Sequence, residues 1–208
     1  MADRHQLTIF AGPNGSGKST LKRKITESGY QLGAYINADE IAATLRKSAR
    51  HSGLTIDQED LERQAFHEAE TRRQDALISG GDFAFETVFS HPSKLEFIKS
   101  AKACSFFVRL FFISTENALL NVARVQSRVK EGGHSVPLGK IVSRYKRTMS
   151  LLAPASLLSD EVFLFDNSGI EMRMVASLRT GFGRKPMIPF GERIPAWVVQ
   201  WAIEVSKK

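Results

Sequence analysis

Eight residues near the amino terminus carry the plainest chemical signal. Gly12-Pro13-Asn14-Gly15-Ser16-Gly17-Lys18-Ser19 fits the pattern G-x-x-x-x-G-K-[ST] at every fixed position. Glycines at this spacing let several backbone N–H groups point into one concavity, a nest for an anion. The helix expected to follow turns its positive dipole end toward the same place. Lys18 is expected to bridge the β- and γ-phosphates of ATP or GTP, and the Ser19 hydroxyl to serve Mg²⁺, with Thr20 closing the nucleotide-binding run. The motif alone does not choose among kinase, hydrolase and switch.

Further along the chain, Asn37-Ala38-Asp39 follows a short apolar segment, at the sheet edge where open α/β folds bind ligands. Asp39 there suits a base that accepts or orients the proton of an attacking hydroxyl. It suits equally an N-cap of the helical stretch after it. Glu86-Thr87 ends another apolar run, where an acid suits holding Mg²⁺ through water or gripping substrate hydroxyls, and suits as well a solvated strand-end carboxylate. Arg124 and Arg128 stand four apart on one helical face, and Lys130, Lys140, Arg144 and Arg147 extend the basic run. Arginines on a mobile lid neutralise a transferring phosphoryl group, and Gly132-Gly133 would serve as hinge. An exposed basic helix pair is the plainer reading of the same residues. Asn167, in the turn Asp166-Asn167-Ser168-Gly169, is a candidate for the base end of the nucleotide or simply a hairpin residue. Cys104 reads as an inert core residue, and Trp197 and Trp201 as packing residues on one helix face.

The elements that position these groups follow from apolar patterning. Residues 7–11 (LTIFA) read as a buried strand ending at Gly12, and 33–36, 83–87, 105–113, 162–165 and 170–176 as further strands. Helical stretches fall between them, over 19–28, 39–48, 57–79, 91–103, 116–131 and 137–152. Pro154 is expected to break the last of these, and Pro195 to open a closing helix. Strands alternating with helices give an α/β, P-loop NTPase/kinase fold: a mostly parallel central sheet flanked by helices, with a helical lid. Residues 1–208 read as a single P-loop kinase domain whose basic helical lid spans about 115–150.

Composition narrows the partners. The chain has 208 residues, 42% apolar and 25% charged, close to a globular average and enough for a sizeable core. Its formal net charge of +7 favours an anionic partner. One cysteine excludes a disulfide framework and a cysteine-based zinc site. The phosphate motif begins within a dozen residues of Met1, leaving no room for a signal peptide, and no apolar run is long enough for a membrane helix. A cytoplasmic address and no membrane association are expected. Nucleic acid is disfavoured because no RNP, KH or zinc-finger pattern is present.

Five segments taken together, FAGPNGSGKST, NADEI, FET, RVxxRVxxGGHxVPxxKIxxRY and LFDNSG, resemble the zeta-toxin family of P-loop kinases. The resemblance covers roughly residues 7–170 and is most specific in the RV…GGHxVP…RY block. It implies ATP- or GTP-dependent phosphorylation of a sugar hydroxyl, typically on UDP-N-acetylglucosamine, often restrained by an antitoxin protein. By position, Lys18 and Ser19 match the nucleotide and Mg²⁺ residues, Asp39 the base with Asn37 beside it, Glu86 the substrate-contacting acid with Thr87 beside it, and Arg124 the first lid arginine. Known members carry a second lid arginine near the place held here by His134, and Arg128 and Arg144 are the cations available to replace it. Two other classes use the same cradle: a nucleotide-dependent switch that binds a protein partner, and a nucleic-acid kinase.

Overall fold

The structure, a computed structural model, describes residues 4–131, 136–179, 186–188 and 193–207. In chain order its elements are β1 (Gln6–Ala11), α1 (Lys18–Glu27), β2 (Ala34–Ile36), α2 (Ala38–His51), α3 (Gln58–Ser79), β3 (Phe83–Thr87), α4 (Ser93–Ala103), β4 (Phe107–Ser114), α5 (Ala118–Lys130), α6 (Leu138–Leu158), β5 (Glu161–Asp166), β6 (Arg173–Arg179) and α7 (Ala196–Ser206). The strands join one six-stranded sheet in the order β2-β3-β1-β4-β5-β6. Neighbours from β2 through β5 pair in parallel, and β6 closes the edge antiparallel to β5. The expected α/β fold with a mostly parallel sheet is therefore present. Among the described residues no helix is long and apolar enough to cross a membrane.

Alternation along the strands explains why both sheet faces are covered. Leu7, Ile9 and Ala11 of β1 join Phe83 and Phe85 of β3 and Val108, Leu110 and Phe112 of β4 in one core. The intervening Phe10, Ala84, Phe111 and Ile113 build a second core on the other face. There Phe10, Phe111 and Phe163 stack in series with ring centroids 5.3 Å apart. Strands apolar on both faces are what a parallel sheet needs, because helices cover it on each side. β1 lies at the centre, between β3 and β4, so the loop leaving its carboxyl end opens where the strand order reverses.

Three local expectations need correction. α6 continues through Pro154 to Leu158 instead of breaking there. A proline inside a helix costs about 3 kcal/mol. The carbonyl it leaves without an N–H partner belongs to Ser150, which is exposed to water. Burial of Leu152, Ala153 and Ala155 in the main core, and the 2.9 Å bond from Trp201 Nε1 of α7 to Ser156 Oγ, hold the last turns in place. The final strand begins at Arg173, three residues later than the pattern suggested, because its register pairs Arg173 with Asp166 and leaves Ile170 in solvent. Cys104 is exposed, not in the core: α4 ends at Ala103, and Phe106 takes the buried position.

Candidate active site: a phosphate cradle and its acidic flank

The loop 12–17 joins β1 to α1 and is walled by elements distant in sequence. Gly15 lies against α5: a Cβ there would stand 2.8 Å from the Asn121 carbonyl oxygen. Gly17 has φ +101° and caps α1, and a Cβ on it would stand 2.5 Å from the Asn167 side-chain nitrogen. That Asn167 amide donates to the Ser16 carbonyl at 2.8 Å, so the turn after β5 braces the loop. No side chain caps the start of α1, which leaves its first N–H groups to an anion. Ser16 Oγ and Asn14 Oδ1 are buried with no hydrogen-bond partner among the described residues. The buried Lys18 reaches back to donate to the Pro13 carbonyl at 3.1 Å. Left-handed glycine backbone, uncapped amides and a buried ammonium together fit a polyphosphate.

The acidic flank comes from β2, β3 and α2. Glu86, at the end of β3, accepts hydrogen bonds from Ser19 Oγ at 3.0 and 3.2 Å and from Tyr35 Oη at 3.1 Å. Asn37 Nδ2 donates to Tyr35 Oη at 3.3 Å, and Asn37 Oδ1 accepts the Asp39 backbone N–H at 2.9 Å. Asn37, not Asp39, is therefore the N-cap of α2, and the Asp39 carboxylate stands exposed in the first helical turn. A hydroxyl beside a carboxylate is a donor set for a hard divalent cation, so Ser19 and Glu86 fit Mg²⁺. Burial and the Glu86 charge drive the Tyr35 phenol pKa strongly upward, so this hydroxyl remains a donor. The Lys22 ammonium sits 4.2 Å over the Tyr35 ring.

Electrostatics join these groups to the basic helix. Burial lowers the Lys18 pKa, and the Arg128 charge acts in the same direction, while Glu86 and Asp39 pull it back up. Lys18, Glu86, Asp39 and Arg128 thus share one field. Arg124 lies half-buried one turn earlier on α5, its Nη1 enclosed with no hydrogen-bond partner among the described residues. α5 is held to the end of β4 by Thr115 Oγ1, which donates to Asn121 Oδ1 at 2.6 Å, and by Tyr145 Oη of α6, which donates to the Thr115 carbonyl at 2.8 Å.

Other candidates are placed differently. Thr87 Oγ1 accepts from the Phe89 N–H at 3.1 Å, stabilising a loop in which Phe89 is left-handed with φ 59°. Thr20 is exposed on α1. Arg144 is half-buried in α6, and among the described residues no hydrogen bond or ion pair joins it to the cradle. His134 and the Gly132-Gly133 hinge lie outside the described residues. Sequence reasoning missed Tyr35 and Asn121. Tyr35 had a signal, a hydroxyl two residues before Asn37 at a strand end. Asn121 had none beyond being a polar residue on an amphipathic helix.

Comparison with known proteins gives a family and a fold. Residues 7–152 match the AAA domain family AAA_33. An uncharacterized protein of Haemophilus influenzae is 30% identical over 146 residues, spanning 68% of this chain and 94% of the relative. Among solved structures, the AvrRxo1-ORF1:AvrRxo1-ORF2 complex with ATP superposes with a TM-score of 0.67 at 16% identity, covering 99% of this chain and 77% of that one. Against the native form of that complex the chain spans 61% of its neighbour's length, with a TM-score of 0.65. A chain from the PezAT chromosomal toxin-antitoxin system of Streptococcus pneumoniae gives 0.62 at 15% identity, covering 99% and 88%. Likeness at such identities is likeness of fold.

Proposed function

The chain belongs to the AAA_33 family of AAA domains, and from that premise we propose that it is a P-loop kinase of zeta-toxin type, moving the γ-phosphate of ATP or GTP to a sugar hydroxyl. UDP-N-acetylglucosamine or a related nucleotide sugar is the acceptor to test first. The observation that carries this reading is the anion cradle with its buried Lys18, flanked by Glu86, which accepts from Ser19, and by the exposed Asp39 carboxylate in the first turn of α2. A cradle built only to hold nucleotide needs no second carboxylate at its flank.

In this reading the loop amides and Lys18 hold the β- and γ-phosphates. Ser19 and Glu86 are the residues that would hold Mg²⁺, which when bound neutralises phosphate oxygens. The acceptor O–H gives its proton to the Asp39 carboxylate while its oxygen bonds to the γ-phosphorus, and the bond from that phosphorus to the β-bridging oxygen breaks to release the nucleoside diphosphate. Arg124 and Arg128 balance charge on the transferring group, the role assigned to the α5–α6 lid. Little covalent chemistry falls to the protein, so its contribution is placement and charge. An antitoxin-like protein that covers the cradle is the partner this reading anticipates.

The test is incubation of the protein with Mg·ATP and UDP-N-acetylglucosamine, with mass spectrometry for the gain of one phosphate and Lys18→Ala as control. Asp39→Ala should lower turnover by roughly 10²–10⁴-fold, the usual contribution of a general base, with ATP affinity retained. Wild-type turnover in that variant would refute the base assignment. ATP hydrolysis with no phosphorylated acceptor, even from a metabolite extract, would leave a nucleotide switch as the better reading.

A further inference from the structure

The turn after β5 touches two parts of the molecule that must stay in register, the phosphate loop and α5. Its backbone is anchored to β4: Asp166 pairs with Ser114, and the Asn167 N–H donates to the Ser114 carbonyl at 2.8 Å. From that fixed point two consecutive side chains leave for different targets. Asn167 Nδ2 donates to the Ser16 carbonyl of the phosphate loop. Ser168 Oγ accepts the Glu116 N–H at 2.8 Å, two residues before α5 begins. One side chain thus holds the cradle, and the next holds the approach to the helix that carries Arg124 and Arg128.

Asp166 sets the polarity of the second arm. Its side chain is 6% exposed, and its Oδ1 accepts the Ser168 hydroxyl at 2.6 Å. A carboxylate accepts and does not donate, and a serine hydroxyl has a single proton to give. That proton therefore points at Asp166, which leaves a lone pair facing the Glu116 N–H. Asp166 Oδ2 lies 3.8 Å from Arg173 Nε, and Arg173 Nη2 donates to the Arg193 carbonyl at 2.6 Å. Arg193 Nη2 in turn donates to Glu116 Oε1 at 3.4 Å, closing a ring of contacts. The Arg193–Glu116 pair is exposed and contributes little. The charge-assisted bond between Ser168 and the buried carboxylate is the strong member.

We infer that Asp166 is a positioning residue for phosphoryl transfer: through Ser168 it fixes Glu116, and so keeps Arg124 and Arg128 in register with the loop that Asn167 braces. The inference rests on the phosphotransfer reading for the work the arginines do. At about 1.5 Å per residue, Arg124 stands about 9 Å and Arg128 about 15 Å along α5 from its first residue, so a tilt at the start is carried as by a lever to both charges. Misplacing a catalytic charge by about 1 Å costs on the order of 100-fold in rate. ATP held by the loop amides and Lys18 would lose little.

The test compares the full chain with Ser168→Ala, Asp166→Ala, Asp166→Asn and Asn167→Ala. Phosphate transfer at varied Mg·ATP, fluorescent-ATP titration and amide hydrogen exchange over residues 115–131 are measured on each. Ser168→Ala should lower kcat about tenfold or more while KM for ATP stays within about twofold. Exchange at Glu116 and the first turn of α5 should rise about 2–10-fold, the loss of one neutral hydrogen bond. Asp166→Ala should follow Ser168→Ala, which keeps the test open if the aspartate variant fails to fold. Asp166→Asn, whose amide oxygen still accepts from Ser168, should recover most of kcat. Asn167→Ala should instead weaken ATP, by about 2–10-fold. Equal losses of kcat and ATP affinity in Ser168→Ala, or a loss in Asp166→Asn as deep as in Asp166→Ala, would reduce Asp166 to a stabilising residue and overturn the inference. Raised α5 exchange in a protein that phosphorylates no acceptor upholds the tie and refutes the kinase reading. Transfer with α5 exchange unchanged in Ser168→Ala does the reverse.

Discussion

Replacing Gly17 by alanine separates two costs that the structure assigns to one position. Gly17 holds φ +101° and ψ 24°, a left-handed conformation that costs an L-residue about 1–2 kcal/mol. The new Cβ would also stand 2.5 Å from Asn167 Nδ2, which cannot stay while donating to the Ser16 carbonyl. Losing that bond costs about 0.5–1.5 kcal/mol. Together these come to about 1.5–3.5 kcal/mol, or roughly 10–300-fold in ATP affinity if the whole cost falls on the formed cradle. Any part falling on the global fold lowers Tm instead, by about 2–4 °C per kcal/mol for a chain of this size. Fluorescent-ATP titration and thermal melts on Gly17→Ala, Asn167→Ala and the double variant partition the effect. The double variant should bind ATP about as Gly17→Ala does, because the bond that Asn167→Ala removes is already lost once the new Cβ displaces that amide. Wild-type affinity and Tm in Gly17→Ala would refute both terms, and strict additivity in the cycle would refute the close approach of Asn167.

Other consequences follow from buried charge. Lys18 must be protonated to hold phosphate, and burial lowers its pKa beneath the ordinary 10.5. ATP affinity should therefore fall as pH rises toward that value, and Lys18→Arg should flatten the loss, so an undiminished affinity up to pH 10.5 in the unmodified protein would contradict the burial argument. Glu70 accepts hydrogen bonds from both Arg73 and Lys94, tying α3 to α4 beneath β3, while Arg73 lies 5.1 Å over the Phe85 ring. Glu70→Gln strands two nearly buried cations, and with Glu70 itself 31% exposed the cost should be about 2–4 kcal/mol in a denaturant melt, somewhat under that of a fully buried pair. Burial alone would raise the Glu70 pKa, but the Lys94 hydrogen bond and the Arg73 charge outweigh it and hold it below 4.5. Its stabilisation is then complete above the unfolded value and lost as pH falls through the lowered folded one, so Glu70→Gln should remove part of the acid limb of the stability profile.

The phosphate cradle was legible in the sequence because everything it needs is local. Three glycines, a lysine and a serine within eight residues set a backbone conformation and a charge that depend little on the rest of the chain. The strand carrying Glu86 was legible for a similar reason, since an apolar run ending in an acid marks a strand end whatever its neighbours. Asp39 and Asn37 show where local reasoning divides: both residue types cap helices, and only the actual helix start, at Ala38, gives the cap to Asn37 and frees the aspartate carboxylate for other work. Pro154 shows propensity overruled by the burial of its neighbours in the core. The pairing order of the strands lay outside the sequence pattern altogether. Hydrophobic runs say that strands exist, not which lie side by side, because burial rewards any arrangement that covers both faces. Only the tertiary structure sets β1 between β3 and β4, and from that order come the meeting of Ser19 with Glu86 and the approach of Asn121 and Asn167 to the glycine loop.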